Sequence, residues 1–521
     1  MAPDILIGID AGTSMIKSVA FTLGGATVAV AAVPNNYEVL RNGGAEQDMA
    51  QTWRHVARTL RDLGDKVPDL ERRVVAVAVT AQGDGTWLID AAGEPVAPSW
   101  LWLDVRATDI AEAIVADPAY PHHYRTTGTA LNACQQSVHL AWLKQHRPEV
   151  LARAATAFHC KDWLYFKLTG ERVTDPAEAS FTYGDFRRRD YAWDLLEPLG
   201  IVEERRLLPP VVDGTRVSYP LQASAAAETG LQEGLPVILG SLDVICVGVG
   251  AGVVTAGADR GCTILGSTGM HMRPARSAAE VVLNPGRSGY TMPFPGSPML
   301  AQMQSNMAAS LNVDWLVDQA REVLAQAGVE RSREAILSGF DPAVATEPPG
   351  SAVYHPYISE AGERGPFLDR HARAQFFGLS QSTRFAGLLR GVYEGLAMAA
   401  LDCYGAMGGV PDVIHVAGGV AKSRAVRTIL ASVLGVPIRT LDQEEVGAAG
   451  AAMMAAVQIG LYPDIAACAG DWVEPHLGPS IPPDLALKPI YRELYEVYRT
   501  LRRAAEPSWA TLAWIRSRTA Q

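Results

Sequence analysis

The chain has 521 residues, 48% of them hydrophobic and 19% charged, so it can build large cores in about two to four domains. Its formal net charge of −11 argues against a nucleic-acid-binding protein, whose binding surface is normally basic, and no apolar run reaches the roughly 18 residues that span a membrane. The six cysteines form no C-x-x-C pair and no basic segment precedes an apolar one at the N-terminus, so we expect free thiols in a cytoplasmic protein.

The first predicted element is a β-hairpin whose turn follows an acid. Residues 5–9 are mostly apolar and predict a short buried strand, which delivers Asp10 to a turn of small residues. At Gly12, Thr13 and Ser14 the backbone N–H groups can approach a phosphate closely. Because Mg²⁺ prefers oxygen ligands, an acid beside such a turn suggests a site for Mg²⁺ and nucleotide phosphates. An ordinary hairpin turn is the alternative.

A second candidate site follows the apolar run at 74–79, which predicts a strand buried on both faces. Ligands bind at the carboxyl ends of strands in open α/β sheets, so Gln82 and Asp84 are candidate ligand contacts. A satisfied turn is the alternative. Farther on, Trp102, Asp104 and Arg106 join an indole face to an acid and a guanidinium, a combination suited to a hydroxyl-rich ligand. A structural tryptophan beside a surface ion pair is the alternative there.

The second half of the chain repeats the strand-to-turn pattern. An apolar strand over 236–239 leads to Asp243, at the start of a glycine-rich helix whose dipole favours a carboxylate. A helix-capping role is the alternative. Residues 262–265 then lead into a small-residue turn at 266–268 that resembles the first turn. Two such units, one in each half, predict a duplicated α/β architecture.

A third segment of this kind runs from a strand over 413–417 into Gly418 and Gly419, with Ser423 near the start of the next helix. Without side chains, a glycine pair lets a flat ring or a ribose approach the backbone. Helices are also predicted over 135–168 with breaks, 308–324, 330–337, 381–406, 446–457 and 490–505, and an irregular stretch over 181–220.

The order and spacing of these segments resemble the FGGY-type carbohydrate kinases, which include glycerol kinase and xylulose kinase. Lys161-Asp162 and Thr174-Asp175 also match patterns of that family. The resemblance implies an α/β fold of two duplicated actin/hexokinase-like (ribonuclease H-like) domains, over 1–240 and 241–521, with a cleft between them. It also implies ATP and Mg²⁺ as cofactors, a small-molecule polyol substrate and no nucleic-acid or membrane partner. A homodimer is left open.

The resemblance further implies a role for each candidate residue. Asp243 would be the catalytic base and, with Asp10, would lie at the metal. The nucleotide would contact Gly12, Thr13, Ser14, Lys17, Gly266, Ser267, Thr268, Gly418, Gly419 and Ser423. The substrate would contact Gln82, Asp84, Trp102, Asp104 and Asp243.

The substrate is expected to differ from glycerol and from xylulose. Gln82-Gly83-Asp84 stands where glycerol kinases have Gln-Arg-Glu and xylulose kinases have Gln-Met-His, and Cys134 stands where glycerol kinases place a tyrosine. The smaller Gly83 and Cys134 are expected to leave room for a longer chain. Residues 81–88 and 102–104 resemble the erythritol kinases of the family, which implies a small linear polyol. A pentulose kinase is the alternative, followed by an ATP-binding sugar sensor without catalysis.

Overall fold

The computed structural model describes residues 3–519. The strands of the N-terminal half are β1 Ile5–Ala11, β2 Met15–Thr22, β3 Thr27–Pro34, β4 Glu38–Val39, β5 Ala45–Gln47, β6 Val74–Ala81, β7 Trp87–Ile89, β8 Ser99–Trp100, β9 Thr156–Phe158, β10 Gly184–Asp185, β11 Asp190–Tyr191, β12 Tyr219–Pro220 and β13 Pro236–Leu239. Its helices are α1 Met49–Lys66, α2 Leu70–Arg73, α3 Thr108–Ala116, α4 Tyr120–Thr127, α5 Gln136–His146, α6 Pro148–Arg153, α7 Cys160–Thr169, α8 Pro176–Tyr183, α9 Ala223–Thr229 and α10 Asp243–Gly250.

The C-terminal half follows the same general plan. Its strands are β14 Arg260–Leu265, β15 Gly269–Ala275, β16 Tyr290–Pro293, β17 Leu300–Asn306, β18 Val353–His355, β19 Gln375–Phe377, β20 Val413–Ala417 and β21 Ile438–Thr440. Its helices are α11 Ser310–Gln326, α12 Arg333–Thr346, α13 Phe385–Ala406, α14 Arg424–Leu434, α15 Val446–Gln458, α16 Ile465–Val473 and α17 Lys488–Thr519.

Each half is built on a six-stranded mixed sheet, and the two sheets share one topology. The strand orders are β12-β13-β6-β1-β2-β3 and β16-β17-β15-β14-β20-β21. The central strands β1 and β14 each pair antiparallel with the strand that follows them and parallel with β6 or β20 on the other side. Five consecutive strands therefore correspond one to one, which confirms the predicted duplication.

Two helices rich in small residues lie between the sheets. Helix α15 follows the second sheet in the chain but packs on β1 and β6 of the first, and it also crosses α10. The backbones approach so closely that a Cβ at Gly8 would lie 2.1 Å from the carbonyl oxygen of Ala448. A Cβ at Gly450 would lie 1.9 Å from that of Cys246. These glycines let the two helices close the base of the cleft between the halves.

Two details differ from the prediction. Strand β7 pairs with β9, which lies inside the stretch predicted as helical, because three buried residues are too few to show a period of their own. The final helix extends to Thr519 and continues through Pro507. Beyond that proline, the fully buried Trp509 packs near Tyr357 and Phe367, with ring centroids at 5.8 and 6.0 Å, and so holds the extension on the C-terminal half.

All six cysteines are buried free thiols, as predicted. Across residues 3–519, no helix has both the length and the apolar character that crossing a bilayer requires.

Candidate active site

Two carboxylates predicted from separate halves of the chain meet at the base of the cleft. Asp10 lies at the end of β1, close enough to the first turn of α15 that a Cβ at Gly447 would be 2.7 Å from its Oδ2. Asp243 is the first residue of α10, and its Oδ1 accepts a hydrogen bond from Val244 N at 2.7 Å. Each acid therefore faces the positive end of a helix dipole, which stabilises a negative charge.

The environment of these acids suits a divalent cation. Burial raises the pKa of Asp10 to about 6, with Lys17 opposing the shift and Glu445 adding to it. Burial and then the charge of Asp10 raise the pKa of Asp243 to about 7. A cation would relieve this repulsion. Mg²⁺ is commonly held by one or two carboxylates together with phosphate oxygens and water, so this donor pair fits it.

Lys17 also lies at this point, opposite Asp10 in the register of β1 and β2. Its Nζ is 2.9 Å from both carboxylate oxygens of Glu445, just before α15. The lysine therefore joins the N-terminal sheet to the helix that follows the C-terminal sheet. Its contact with phosphate stays a prediction, since in this structure its charge is paired with Glu445.

The first predicted phosphate turn, over residues 12–14, is anchored through its carbonyl oxygens. Asn35 Nδ2 donates to Gly12 O at 3.2 Å, and Asn35 N donates to Ser14 O at 2.9 Å. Gln47 Nε2 donates to Thr13 O at 3.3 Å. The turn is thus fixed to the body of its domain, while the Ser14 side chain remains exposed.

The second predicted phosphate turn, over residues 266–268, is also held by hydrogen bonds to its carbonyl oxygens. The carbonyl oxygens of Gly266 and Ser267 accept from Ser310 N and Ala309 N, each at 2.8 Å, at the start of α11. Ser267 and Thr268 are exposed, like Ser14 in the first turn. The duplication therefore extends from the sheets to the two turns.

The predicted adenosine segment leaves open space at its second glycine. Gly418 has a φ of +102°, and a Cβ there would be 2.4 Å from Leu265 O, so this position requires glycine. A Cβ at Gly419 would meet no atom within 4 Å. Ser423 caps α14 and donates a hydrogen bond to Asp341, so its hydroxyl faces α12.

Gln82 and Trp102 meet at Thr13 of the first predicted phosphate turn. Thr13 Oγ1 donates to Gln82 Oε1 at 2.7 Å and accepts from Trp102 Nε1 at 2.8 Å. Gln82 Nε2 donates to Gln47 Oε1 at 3.0 Å. Residues predicted for substrate and for nucleotide therefore form one hydrogen-bonded wall of the cleft.

Asp84 provides an unsatisfied acceptor beside this wall. Its residue has a φ of +56°, and its Oδ2 lies 3.7 Å from Cys134 Sγ, but its buried Oδ1 has no hydrogen-bond partner within residues 3–519. Burial raises the pKa of Asp84 to about 7, against the attraction of Arg364. A buried acceptor without a partner is costly, so a ligand that donates a hydrogen bond here is favoured.

The structure corrects one expectation about the size of this pocket. A Cβ at Gly83 would lie 2.5 Å from Leu242 Cδ1, so the prediction that Gly83 leaves room for a longer substrate is wrong. Leu242, from the segment that precedes Asp243, already fills that space. Cys134 does lie beside Asp84, so any gain in room relative to a tyrosine arises there.

The carboxylate of Asp104 already has hydrogen-bond partners within the chain. Its carboxylate is 0% exposed and accepts from Ala45 N at 2.9 Å and from Arg106 Nη2 at 2.6 Å. The guanidinium of Arg106 also bonds Glu46 at 2.8 Å and lies 3.6 Å from the centroid of the Trp100 ring. The structure places Asp104 as a support of this wall, and its contact with substrate hydroxyls stays a prediction.

Comparison with known proteins identifies the family. Residues 5–250 match the FGGY family of carbohydrate kinases, N-terminal domain, and residues 261–459 match the C-terminal domain of the same family. The chain belongs to the FGGY family of carbohydrate kinases. The boundary predicted between residues 240 and 241 stays a prediction, since these two matches are separated by residues 251–260.

Individual relatives agree with this assignment. An erythritol kinase of Brucella abortus (strain 2308) is 47% identical over 510 residues, which is 98% of each chain. An autoinducer-2 kinase of Enterobacter sp. (strain 638) is 29% identical over 481 residues, 89% of this chain and 87% of that protein. The crystal structure of xylulose kinase from Rhodospirillum rubrum is similar with a TM-score of 0.85 at 27% identity, covering 97% of this chain and 100% of the other.

Sequence reasoning missed two residues that the FGGY fold brings to the Asp84 pocket from the C-terminal half. Arg364, in the loop between β18 and β19, is close enough to influence the pKa of Asp84. The hydroxyl of Tyr290 on β16 accepts from Asn132 Nδ2 at 3.3 Å. The only signal for the first was a charged Glu-Arg pair between glycines at 362–365, and nothing in the sequence singled out the tyrosine.

A buried charge network supports the segment that delivers Asp243. Lys161 is 0% exposed, and its Nζ lies 2.6 Å from Asp162 Oδ1 and 2.9 Å from Asp175 Oδ1. Although burial alone lowers it, these carboxylates raise the pKa of Lys161 above its ordinary value. Asp175 Oδ2 accepts from Ser241 Oγ at 2.8 Å, two residues before Asp243. The family patterns around residues 161 and 175 thus have a structural role behind the site.

Asp10→Asn is expected to weaken the Mg²⁺-dependent activity of the kinase without altering polyol binding. The carboxylate lies on the side of the phosphate turns, and a group that orients a metal through water contributes roughly 10- to 100-fold in metal affinity or activity. We expect kcat to fall and the apparent Mg²⁺ requirement to rise by that factor, with the polyol KM nearly unchanged. The measurement is initial rate against Mg²⁺ concentration at saturating ATP.

The exposed Asp65 in α1 provides the control, because Asp65→Asn removes the same charge far from the cleft. If Asp10→Asn behaved like this control, with an unchanged rate and metal requirement, the role assigned to Asp10 would be wrong.

Proposed function

We propose that this FGGY kinase transfers the γ-phosphate of ATP to a hydroxyl group of a small linear polyol, with erythritol as the preferred substrate. The observation that carries the proposal is the unpartnered Oδ1 of Asp84 on the substrate side of the cleft, which calls for a hydroxyl donor. The choice of erythritol is supported by the 47% identity to the Brucella abortus erythritol kinase over 98% of both chains.

In the proposed reaction, a substrate hydroxyl oxygen attacks the γ-phosphorus. The new O–P bond forms as the bond to the bridging oxygen of ADP breaks, and Asp243 accepts the hydroxyl proton. Phosphoryl transfer depends mainly on positioning and charge stabilisation, and a general base contributes about 10²- to 10⁴-fold. A bound Mg²⁺ would supply positive charge to the phosphate oxygens, with Asp10 orienting it.

The rest of the cleft has the corresponding binding roles. The turns at Gly12–Ser14 and Gly266–Thr268 bind the phosphates through backbone N–H groups and hydroxyls. Gly419 leaves room for the adenosine, and Trp102 covers an apolar CH face of the polyol. Asp84 accepts from substrate hydroxyls, and a charged acceptor makes the stronger kind of hydrogen bond. Asp104 holds this wall in place through Arg106.

The substrate assignment is tested by kcat/KM for erythritol, glycerol, ribitol, D- and L-xylulose and L-ribulose, measured as ADP production under one set of conditions. A tenfold preference corresponds to about 1.4 kcal/mol of transition-state stabilisation. We expect erythritol to lead by at least that factor, because a site built to bind hydroxyls rejects analogues that leave its polar groups unpaired.

A ketopentose leading by the same margin would reject the polyol assignment and leave the kinase assignment standing. The similarity in fold to the xylulose kinase of Rhodospirillum rubrum makes that the main alternative. Activity with none of the six compounds, in protein that still binds ATP, would favour the sugar sensor.

A further inference from the structure

We propose that Arg364 binds the substrate from the C-terminal half of the kinase, so that the polyol is held between its guanidinium group and the Asp84 carboxylate of the N-terminal half. The inference rests on the proposed function and adds a specificity residue to the polyol site.

The first observation is a pair of buried, unsatisfied charged groups that lie near each other. Asp84 Oδ1 and Arg364 Nε are both buried and have no hydrogen-bond partner among residues 3–519. Their charges attract each other, yet among those residues Arg364 forms no ion pair with Asp84 within 4.0 Å. The arginine also lies on the Trp102 side, with Cζ 6.0 Å from the ring centroid. The two charged groups thus lie near each other without forming an ion pair, and each keeps a buried polar atom unsatisfied.

The second observation is that the loop carrying Arg364 is fixed from both sides. Glu363 Oε1 accepts from Met307 N at 2.9 Å and from Arg364 N at 2.8 Å. Asn306 Nδ2 donates to Gly365 O at 2.7 Å, at the end of β17.

The following residue is held as firmly. Pro366 O accepts from Asn284 Nδ2 at 2.7 Å and from Ser288 Oγ at 2.8 Å. The loop also packs directly on β17, since a Cβ at Gly365 would lie 2.5 Å from Ser305 O. This constrained backbone holds the Arg364 side chain in one position, as a preorganised binding group requires.

The chemistry of the pair matches vicinal hydroxyl groups. A carboxylate only accepts hydrogen bonds and a guanidinium only donates them, whereas a hydroxyl does both. A polyol hydroxyl bound between the two groups can donate to Asp84 and accept from Arg364 at the same time. The planar fork of the guanidinium presents several donors, which suits oxygens on neighbouring carbons. A chain with fewer hydroxyls leaves at least one of the two charged groups unpaired.

The test compares Arg364→Met and Arg364→Lys with wild-type enzyme. We expect Arg364→Met to raise the erythritol KM by about 10- to 100-fold, the range for a lost hydrogen bond to a charged group, with the ATP KM nearly unchanged. Lysine restores the charge without the fork, so Arg364→Lys should recover part of the loss. The exposed Arg370, six residues on, contacts Glu112 and His371 and gives the matched control Arg370→Met.

A second readout separates substrate binding from a purely structural role. Wild-type enzyme and both variants are assayed with erythritol and with two triols that each lack one hydroxyl, butane-1,2,3-triol and butane-1,2,4-triol. If Arg364 binds a hydroxyl, wild type discriminates against the triol lacking it by about tenfold or more, and Arg364→Met loses that discrimination. A variant weakened only in its fold loses rate on all three compounds alike and keeps the ratio.

An erythritol KM for Arg364→Met within about twofold of that for Arg370→Met, with unchanged triol ratios, would overturn the inference. Should a ketopentose prove to be the substrate, the proposed function fails, and the same KM comparison on that compound still decides the role of Arg364. If Arg364→Met does not fold, the erythritol KM and the triol ratios of Arg364→Lys test the inference instead.

Discussion

Asp243→Asn is expected to lower kcat by about 10²- to 10⁴-fold, the contribution of a positioned general base, while leaving ATP binding nearly intact. Asparagine keeps the shape of the side chain and its place at the start of α10, but it cannot accept the proton of the attacking hydroxyl. The measurement is kcat with erythritol together with ATP affinity from equilibrium titration. Near-normal turnover in the purified variant would contradict the assignment of Asp243 as the base.

The pH dependence of the wild-type rate gives an independent check. Because burial and then Asp10 raise the pKa of Asp243 to about 7, the free base is formed only as pH rises through that range, so activity should increase with pH there. Asp10→Asn removes a neighbouring negative charge and should shift this acid limb to lower pH. A limb that stayed in place in Asp10→Asn would show that the two carboxylates do not interact.

Lys161→Met is expected to lower the free energy of unfolding of the N-terminal half by about 3–5 kcal/mol, because it leaves Asp162 and Asp175 buried without their cation. Urea denaturation followed by circular dichroism and tryptophan fluorescence measures the change. Lys144→Met is the control, since Lys144 is 35% exposed and its surface pairs contribute only about 0–1 kcal/mol. Equal destabilisation by the two substitutions would contradict the role of the buried network.

Ser241→Ala separates the effect of this network on catalysis from its effect on stability. It removes only the hydroxyl that donates to Asp175 and retains the ion pairs. We expect a lower kcat with an unchanged ATP KM, because the segment before Asp243 loses one of its anchors. An unchanged kcat would limit the network to a role in stability.

The repeated unit and the residues on its turns can be predicted from the sequence alone. The first strand of each unit, over 5–9 and 262–265, is a short, mostly apolar run, and the turn after it is short and glycine-containing, so this part of each unit is encoded by neighbouring residues. The same holds for Gly418, directly after β20, and for Asp243, four residues after the end of β13. Local patterns of this kind are visible in one sequence because burial on both faces and tight turns both restrict residue type over a few positions.

Which of these residues share a surface, and which already have partners within the chain, depends on the tertiary structure. The pairing of Lys17 with Glu445 joins residues 428 positions apart, and the approach of Arg364 to Asp84 crosses the cleft, so neither leaves a periodic trace in the chain. Leu242 fills the space beside Gly83, although a small residue in the sequence suggested room there. A residue type reports what a side chain can do, whereas the packing of distant segments decides whether its atoms remain free to do it.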